Sequence, residues 1–259
     1  MIELPTTPTK GDDTRVKSML IISRPKVGKT QALMQLPNSL LIDLEESSRY
    51  FDGTSIDVMA KARELGQGPI STLKDVLTTI KARNKDKVLY KYIILDTVTV
   101  LEGLLEPYVT KVYKNTPQGN EYKGDSIVMD LDYGKGYKLL RDEMSSIISE
   151  LYQLADTIVL LAHVKDGSIK IKGKDIAISD VDLTGKMKNI VAGKCDAIGN
   201  LYRSDEEEGV NYLSFKTTST DIVVGARPAH LSNMDFKISV RDPETKVLTT
   251  FWNQIFLNL

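Results

Sequence analysis

The chain reads as an α/β protein: a mostly parallel sheet flanked by helices, with an antiparallel β extension toward its C-terminal end. Three observations predict this. An apolar run, Met19-Leu20-Ile21-Ile22, passes through a tight loop ending Gly28-Lys29-Thr30 into a helical segment, Gln31-Ala32-Leu33-Met34. Further unbroken apolar runs (Leu40–Ile42, Tyr92–Leu95, Ile158–Leu161) alternate with segments whose apolar residues recur at helical spacing. Strands buried on both faces of a parallel sheet carry such runs. Beyond about residue 200 the pattern changes to short strands separated by turn residues.

Residues 1–17 read as an extended arm, because Pro5, Pro8 and Gly11 interrupt any helix. Residues 18–259 read as one domain. Its first strand covers 18–23 and a helix runs to Met34. A buried strand from Ser39 ends in Asp43-Leu44-Glu45-Glu46. Leu73, Val76, Leu77 and Ile80 mark a helix over 71–84. A strand from Tyr90 ends in Asp96-Thr97, and a helix covers 98–114. The stretch 115–120 stops that helix and opens a polar loop to Gly134. A second long helix, 135–154, leads to the strand 157–161. Residues 165–185 are short, alternating and lysine-rich, and a helix near 186–195 follows. Strands are expected at 200–203, 212–217, 236–240 and 247–251, with a turn at 205–209.

Composition narrows the functional classes. The 259 residues suit one large domain, and 41% are hydrophobic, enough for a substantial core. The 34 Lys+Arg against 35 Asp+Glu exclude a globally basic nucleic-acid protein but allow a local basic strip. Cys195 is the single cysteine, which excludes an internal disulfide and suits a reducing cytoplasm. It reads as a small core residue. No run of 18 apolar residues offers a membrane span, and the first 18 residues lack the apolar core of a signal peptide.

Ser23-Arg24-Pro25-Lys26-Val27-Gly28-Lys29-Thr30-Gln31 has the layout of a phosphate-binding P-loop between strand and helix. Backbone N–H groups of such a loop point at phosphate oxygens. Lys29 supplies charge for the β/γ-phosphates and Thr30 a hydroxyl for Mg²⁺. Ser23 occupies the first glycine position, where a positive φ would disfavour serine.

The other strand ends carry matching chemistry. Asp96 closes the run Tyr92–Leu95, where a carboxylate can hold Mg²⁺ together with Thr30 or cap the following helix. Glu45 is positioned to polarise an attacking water, with Asp43 and Glu46 as rivals. His163, just past Leu161, can face the phosphate crevice and couple nucleotide state to the loop after it, or be a buried histidine satisfied by backbone. Lys29, Glu45 and His163 are therefore the candidate catalytic set. His230 lacks such a context and reads as structural.

These segments resemble the RecA-like ATPase core, and more narrowly the phage-encoded nucleotide-binding proteins of recombination and single-strand annealing. The residues that carry the likeness are Arg24–Thr30, Leu41–Glu45, Ile93–Thr97, Asp132–Tyr137 and Val159–Lys165; Gly225-Ala226-Arg227 adds to it. The resemblance spans roughly 18–235 and implies ATP and Mg²⁺ as cofactors. Glu45 inherits the position of the catalytic glutamate of RecA-type proteins. His163 stands where recombinases keep a glutamine that senses the γ-phosphate. The loop after His163 matches a DNA-binding loop in position. No separate DNA-binding domain is present, so annealing or filament support is implied rather than full strand exchange.

Residues 165–188 hold six lysines against four aspartates, a local charge of +2. Lys170, Lys172 and Lys174 alternate with Ile169, Ile171 and Gly173, and in one strand would share a face able to track a phosphate backbone. With Lys165 and Lys186 they form the candidate surface for single-stranded DNA; a solvated hairpin edge is the other reading. Tyr122, Tyr133 and Tyr137 offer base stacking or packing. Arg227 and Lys216 are candidates for a cationic finger reaching a neighbouring subunit of a ring or filament. Expected partners are single-stranded DNA, further copies of the chain and a single-strand-binding protein. A P-loop small-molecule kinase and a non-catalytic, nucleotide-gated assembly factor are the alternatives.

Overall fold

The computed structural model describes residues 6–8, 11, 14–171, 174–217 and 224–259. The predicted N-terminal arm therefore lies largely outside the described residues. Its last part docks on its own chain: Val16 is buried and its carbonyl accepts the Thr157 hydroxyl.

The chain begins with β1 (Ser18–Ser23), α1 (Lys29–Met34) and β2 (Ser39–Asp43). A short strand β3 (Ser55–Asp57) leads into α2 (Val58–Leu65), which Asp57 caps by accepting the Ala60 N–H and Gly66 closes at φ 64°. Next comes α3 (Pro69–Arg83), with proline at its first position. After β4 (Tyr92–Asp96), α4 (Val98–Lys114) starts from a Thr97 cap. The expected polar loop contains α5 (Ile127–Asp130), and α6 (Lys135–Leu151) follows. β5 (Thr157–Ile171) and β6 (Lys174–Val181) form a hairpin, and α7 (Met187–Gly193) returns to the sheet. β7 (Ala197–Arg203), β8 (Val210–Ser214), β9 (Gly225–Ala226), β10 (Asp235–Arg241) and β11 (Leu248–Thr250) complete the chain.

The sheet runs β11-β10-β8-β7-β1-β5-β4-β2-β3, with β6 paired to β5 and β9 to β7. From β7 across to β3 every pairing on this path is parallel, and from β7 to β11 every pairing is antiparallel. The predicted α/β class and its antiparallel extension are both present. β2 does not lie beside β1; β5 and β4 stand between them, while β7 lies on the other side. Strands therefore lead away from β1 in both directions, and a crevice opens at their carboxyl ends. Register brings the functional ends level: Ser23 lies opposite His163 and Leu201, and Asp96 opposite Asp43 and Leu161.

Alternate strand residues feed two cores. Leu20, Ile22, Ile93, Leu95, Ile158 and Leu160 pack under α3, α4, α6 and α7. Met19, Ile21, Tyr92, Ile94, Val159 and Leu161 pack under α1 and the C-terminal Trp252, Ile255 and Phe256. Burial on both faces explains the unbroken apolar runs. Among the described residues no helix is long and apolar enough to cross a membrane.

Several elements depart from expectation. β3, α2 and α5 are not among the expected elements; they span three, eight and four residues, too short to show a sustained apolar pattern. The strand expected to end at Leu161 continues as one arm of the hairpin to Ile171. Lys170 and Lys174 therefore lie on opposite strands rather than in one row, and Lys172 is outside the described residues.

The C-terminal extension ties into α1. The Trp252 indole N–H donates to the Ala32 carbonyl at 2.7 Å, and Gln35 donates to the Leu248 carbonyl at 3.0 Å. Trp252→Ala removes a buried indole and this bond, so it should lower stability by about 3–5 kcal/mol in urea denaturation. A loss below about 1 kcal/mol would show that the extension does not support the α1 face.

Candidate functional site

The loop after β1 turns through Lys26 at φ 64° and Gly28 at φ 104°. Ser23 is the fully buried last residue of β1, outside the positive-φ positions of the turn. The expected conflict between serine and a left-handed backbone does not arise, because the left-handed positions fall later. Gly28 meets that demand without strain, and Lys26 adopts it as a non-glycine residue.

Lys29 and Thr30 follow on the first turn of α1 and are both buried. The Thr30 hydroxyl donates to Asp96 Oδ2 at 2.6 Å. Lys29 Nζ lies 3.4 Å from His163 Nδ1 and 3.9 Å from Glu45 Oε2. His163 Nε2 is 2.7 Å from Glu45 Oε1, which also accepts the Thr97 hydroxyl at 2.8 Å. An ammonium can only donate, so the Lys29 contact makes Nδ1 the acceptor. The imidazole proton then sits on Nε2 and is donated to Glu45.

The turn after β2 separates the three rival acids. Asp43 is buried and spends its carboxylate on the N–H groups of Glu45 and Ser48, at 2.8 and 2.7 Å. Glu46 takes positive φ and pairs with Arg63 on the surface. Glu45 alone turns toward Lys29 and His163. Burial pulls its pKa upward, but the His163 hydrogen bond, the Lys29 charge and the Thr97 hydroxyl outweigh it and hold the carboxyl below its ordinary value. Glu45 is thus a carboxylate at neutral pH.

Asp96 is fully buried between these groups. Burial pushes its carboxyl up to about 6, against the opposing pull of Lys29 and Thr30. Its Oδ1 has no hydrogen-bond partner, and Oδ2 is shared by the hydroxyls of Thr30 and Ser47. A buried carboxylate oxygen without a partner is costly unless a ligand completes it. The donors are hard oxygens, which fits Mg²⁺. Among the described residues no group of three His, Cys, Asp or Glu side chains could cage a metal. A magnesium ion here would rely on Thr30, Asp96 and phosphate oxygens, its usual mode with nucleotides.

Beside Asp96, which stays beneath the surface, a crevice of about 1090 Å³ opens. Pro25, Lys26, Val27, Gly28, Lys29, Thr30, Gln31, Glu45 and His163 line it. Ser23 lies buried at its base, and Arg24 turns outward to Asp166 at 3.1 Å. Lys165 is exposed within β5 near the base of the hairpin and Lys186 is exposed after β6, while Lys188 pairs with Asp180. The side chains of Lys170, Lys172 and Lys174 lie outside the described set. Arg227 pairs with Asp196 at the amino end of β1, and Lys216 pairs with Asp235 where β8 leaves the crevice. Neither reaches the crevice of its own chain. Tyr122 packs edge-on against Tyr113, whereas Tyr133 and Tyr137 are exposed. His230 bonds the Ile255 carbonyl, and Cys195 is buried, its thiol pushed up to about 12 by burial.

Crevice residues that the sequence did not assign to the site include Arg49, Arg203, Asn211 and Arg241. Arg203 and Arg241 each end a strand of the C-terminal β region, and that position was the available signal. Their convergence depends on the pairing order β7-β8-β10, which a single sequence does not display.

A family model described as an AAA domain matches residues 15–228. No curated protein matches the chain.

Asp96 gives a pH test. Its folded pKa lies above its ordinary value of 3.8, so folding takes up a proton between 3.8 and about 6. The penalty for ionising it is absent below that window and complete above it, on the order of 3 kcal/mol. In EDTA, the stability of Asp96→Asn relative to wild type should therefore rise from about pH 4 to about pH 7 in urea titrations. A difference independent of pH would show that Asp96 is not held in a desolvated site.

Proposed function

Because this chain belongs to the AAA domain family, with its P-loop ATPase-type fold, we propose that it is a Mg²⁺-dependent ATPase that binds single-stranded DNA and supports phage-type recombination or strand annealing. The observation that carries the ATPase reading is the cluster of Lys29, Glu45 and His163 beside the Thr30–Asp96 pair.

Lys29 meets the β/γ-phosphates, and the backbone from Lys26 to Thr30 wraps them. Thr30 and Asp96 would hold Mg²⁺, which neutralises developing charge on the phosphate oxygens when bound. Phosphates draw the Lys29 ammonium away from Glu45 and His163. Glu45 Oε2 then loses its cation at 3.9 Å and becomes free to accept a proton from the attacking water. The Thr97 hydroxyl and the His163 N–H keep Oε1 fixed, so the base stays oriented.

Loss of the Lys29 contact also frees His163 Nδ1 to take up a proton and donate to the terminal phosphate. His163 belongs to the same strand as the hairpin that starts one residue later, and its carbonyl accepts the Asp182 N–H at 2.9 Å. A shift of the His163 main chain would pass directly into both hairpin strands. Lys165, Lys170, Lys172, Lys174 and Lys186 then bring positive charge to single-stranded DNA through that hairpin and its base. Further copies of the chain, in a ring or filament, would complete the ATPase through a cationic finger, with Arg227 and Lys216 the candidates. A single-strand-binding protein is the expected companion on DNA.

Lys29→Ala should abolish measurable ATP binding in calorimetry; retained affinity removes the P-loop from the mechanism. Glu45→Gln should keep ATP affinity within a few-fold and lower turnover by about 10²-fold or more. A wild-type rate would exclude Glu45 as the base. Neutralising Lys170, Lys172 and Lys174 together should weaken oligonucleotide binding and flatten its salt dependence by about 0.7 per lost phosphate contact. An unchanged slope would return the hairpin to a solvated edge.

A further inference from the structure

The groups above occupy one side of the crevice. Glu45 comes from the turn after β2 and His163 from β5, both on the β5 side of β1. The opposite wall is built by the turns β7–β8 and β10–β11 and holds Arg203 and Arg241. Arg203 donates to the Lys26 carbonyl of the loop at 3.3 Å. Arg241 donates to the Lys246 carbonyl at 2.9 Å and to the Gln31 side chain on the first turn of α1. Among the described residues neither guanidinium makes an ion pair, although Asp205, Glu206 and Glu208 line the same end of the crevice. Each uses neutral oxygens for one or two of its five N–H donors. Two such cations beside a phosphate-binding loop are placed for a further anion.

The mounting of these arginines is rigid. Asn211 of β8 is buried and donates to the Val27 carbonyl at 3.0 Å and to the Ser239 hydroxyl of β10 at 3.2 Å. The loop, β8 and β10 are thereby fixed to one another.

We propose that Arg203 and Arg241 bind the α- and β-phosphates of the nucleotide from the C-terminal strands of the same chain. The reading rests on the nucleotide site proposed above. With the terminal phosphate at Glu45 and His163, the phosphate chain crosses the end of β1 and its nucleoside end reaches the β7 side. The antiparallel extension is then part of the nucleotide site as well as a support for α1.

The test is titration of fluorescent N-methylanthraniloyl ADP and ATP into the full chain with Mg²⁺, for wild type, Arg203→Ala, Arg241→Ala and Arg241→Lys. Loss of one charge-assisted contact should weaken both nucleotides about tenfold in each alanine variant. Arg241→Lys should recover part of the loss, and circular dichroism should show the fold retained. Equal loss for ADP and ATP supports the proposal. A loss confined to ATP assigns the arginines to the γ-phosphate and overturns it. Unchanged nucleotide affinity, with or without weaker oligonucleotide binding, also overturns it and leaves the ATPase reading standing. Failure of wild type to bind either nucleotide overturns both.

Discussion

The ammonium of Lys29, held between an imidazole and a carboxylate, is the interaction around which the site is organised. A buried cation needs partners, and Glu45 from the turn after β2 and His163 from β5 supply them. Those partners are the ones that phosphates would displace. Under the proposed mechanism, nucleotide binding would release the Glu45 carboxylate and the His163 imidazole together. This follows from placing one cation between two groups that are also bonded to each other.

That arrangement depends on the order of the parallel strands. With β5 beside β1, the P-loop and His163 end at the same level, and β4 and β2 bring Asp96 and Glu45 alongside. Asp43 then sacrifices its carboxylate to shape the turn that aims Glu45 inward. Asp96 is left desolvated, one oxygen on Thr30 and the other without a partner. The fold tolerates an unfavourable carboxyl at the position where a hard cation and phosphate oxygens would relieve it.

Much of this is written locally in the sequence. Strands buried on both faces announce themselves as apolar runs, and the polar residues just after those runs are the candidate site residues: Ser23, Glu45, Asp96 and His163. The Gly28-Lys29-Thr30 signal needs no tertiary information, since the loop and helix are adjacent in the chain. Residues brought in by distant pairing were not legible. Arg203, Asn211 and Arg241 reach the crevice only because β8 and β10 extend the sheet beyond β7. The sequence put Glu45 ahead of Asp43 and Glu46, but the physical reason lies in backbone hydrogen bonds within one turn, which the pattern of residues does not display. The hairpin was half visible: alternation showed β structure, but not where the chain would reverse between Lys170 and Lys174.

A structure determined with Mg²⁺ and a non-hydrolysable ATP analogue bears most directly on the role of Lys29. The terminal phosphate should lie within hydrogen-bonding distance of Lys29 Nζ, with the Lys29–His163 contact broken and the cation on Thr30 and Asp96. A bound triphosphate that leaves Lys29 on His163 and Glu45, or a crevice that admits none, would contradict the mechanism.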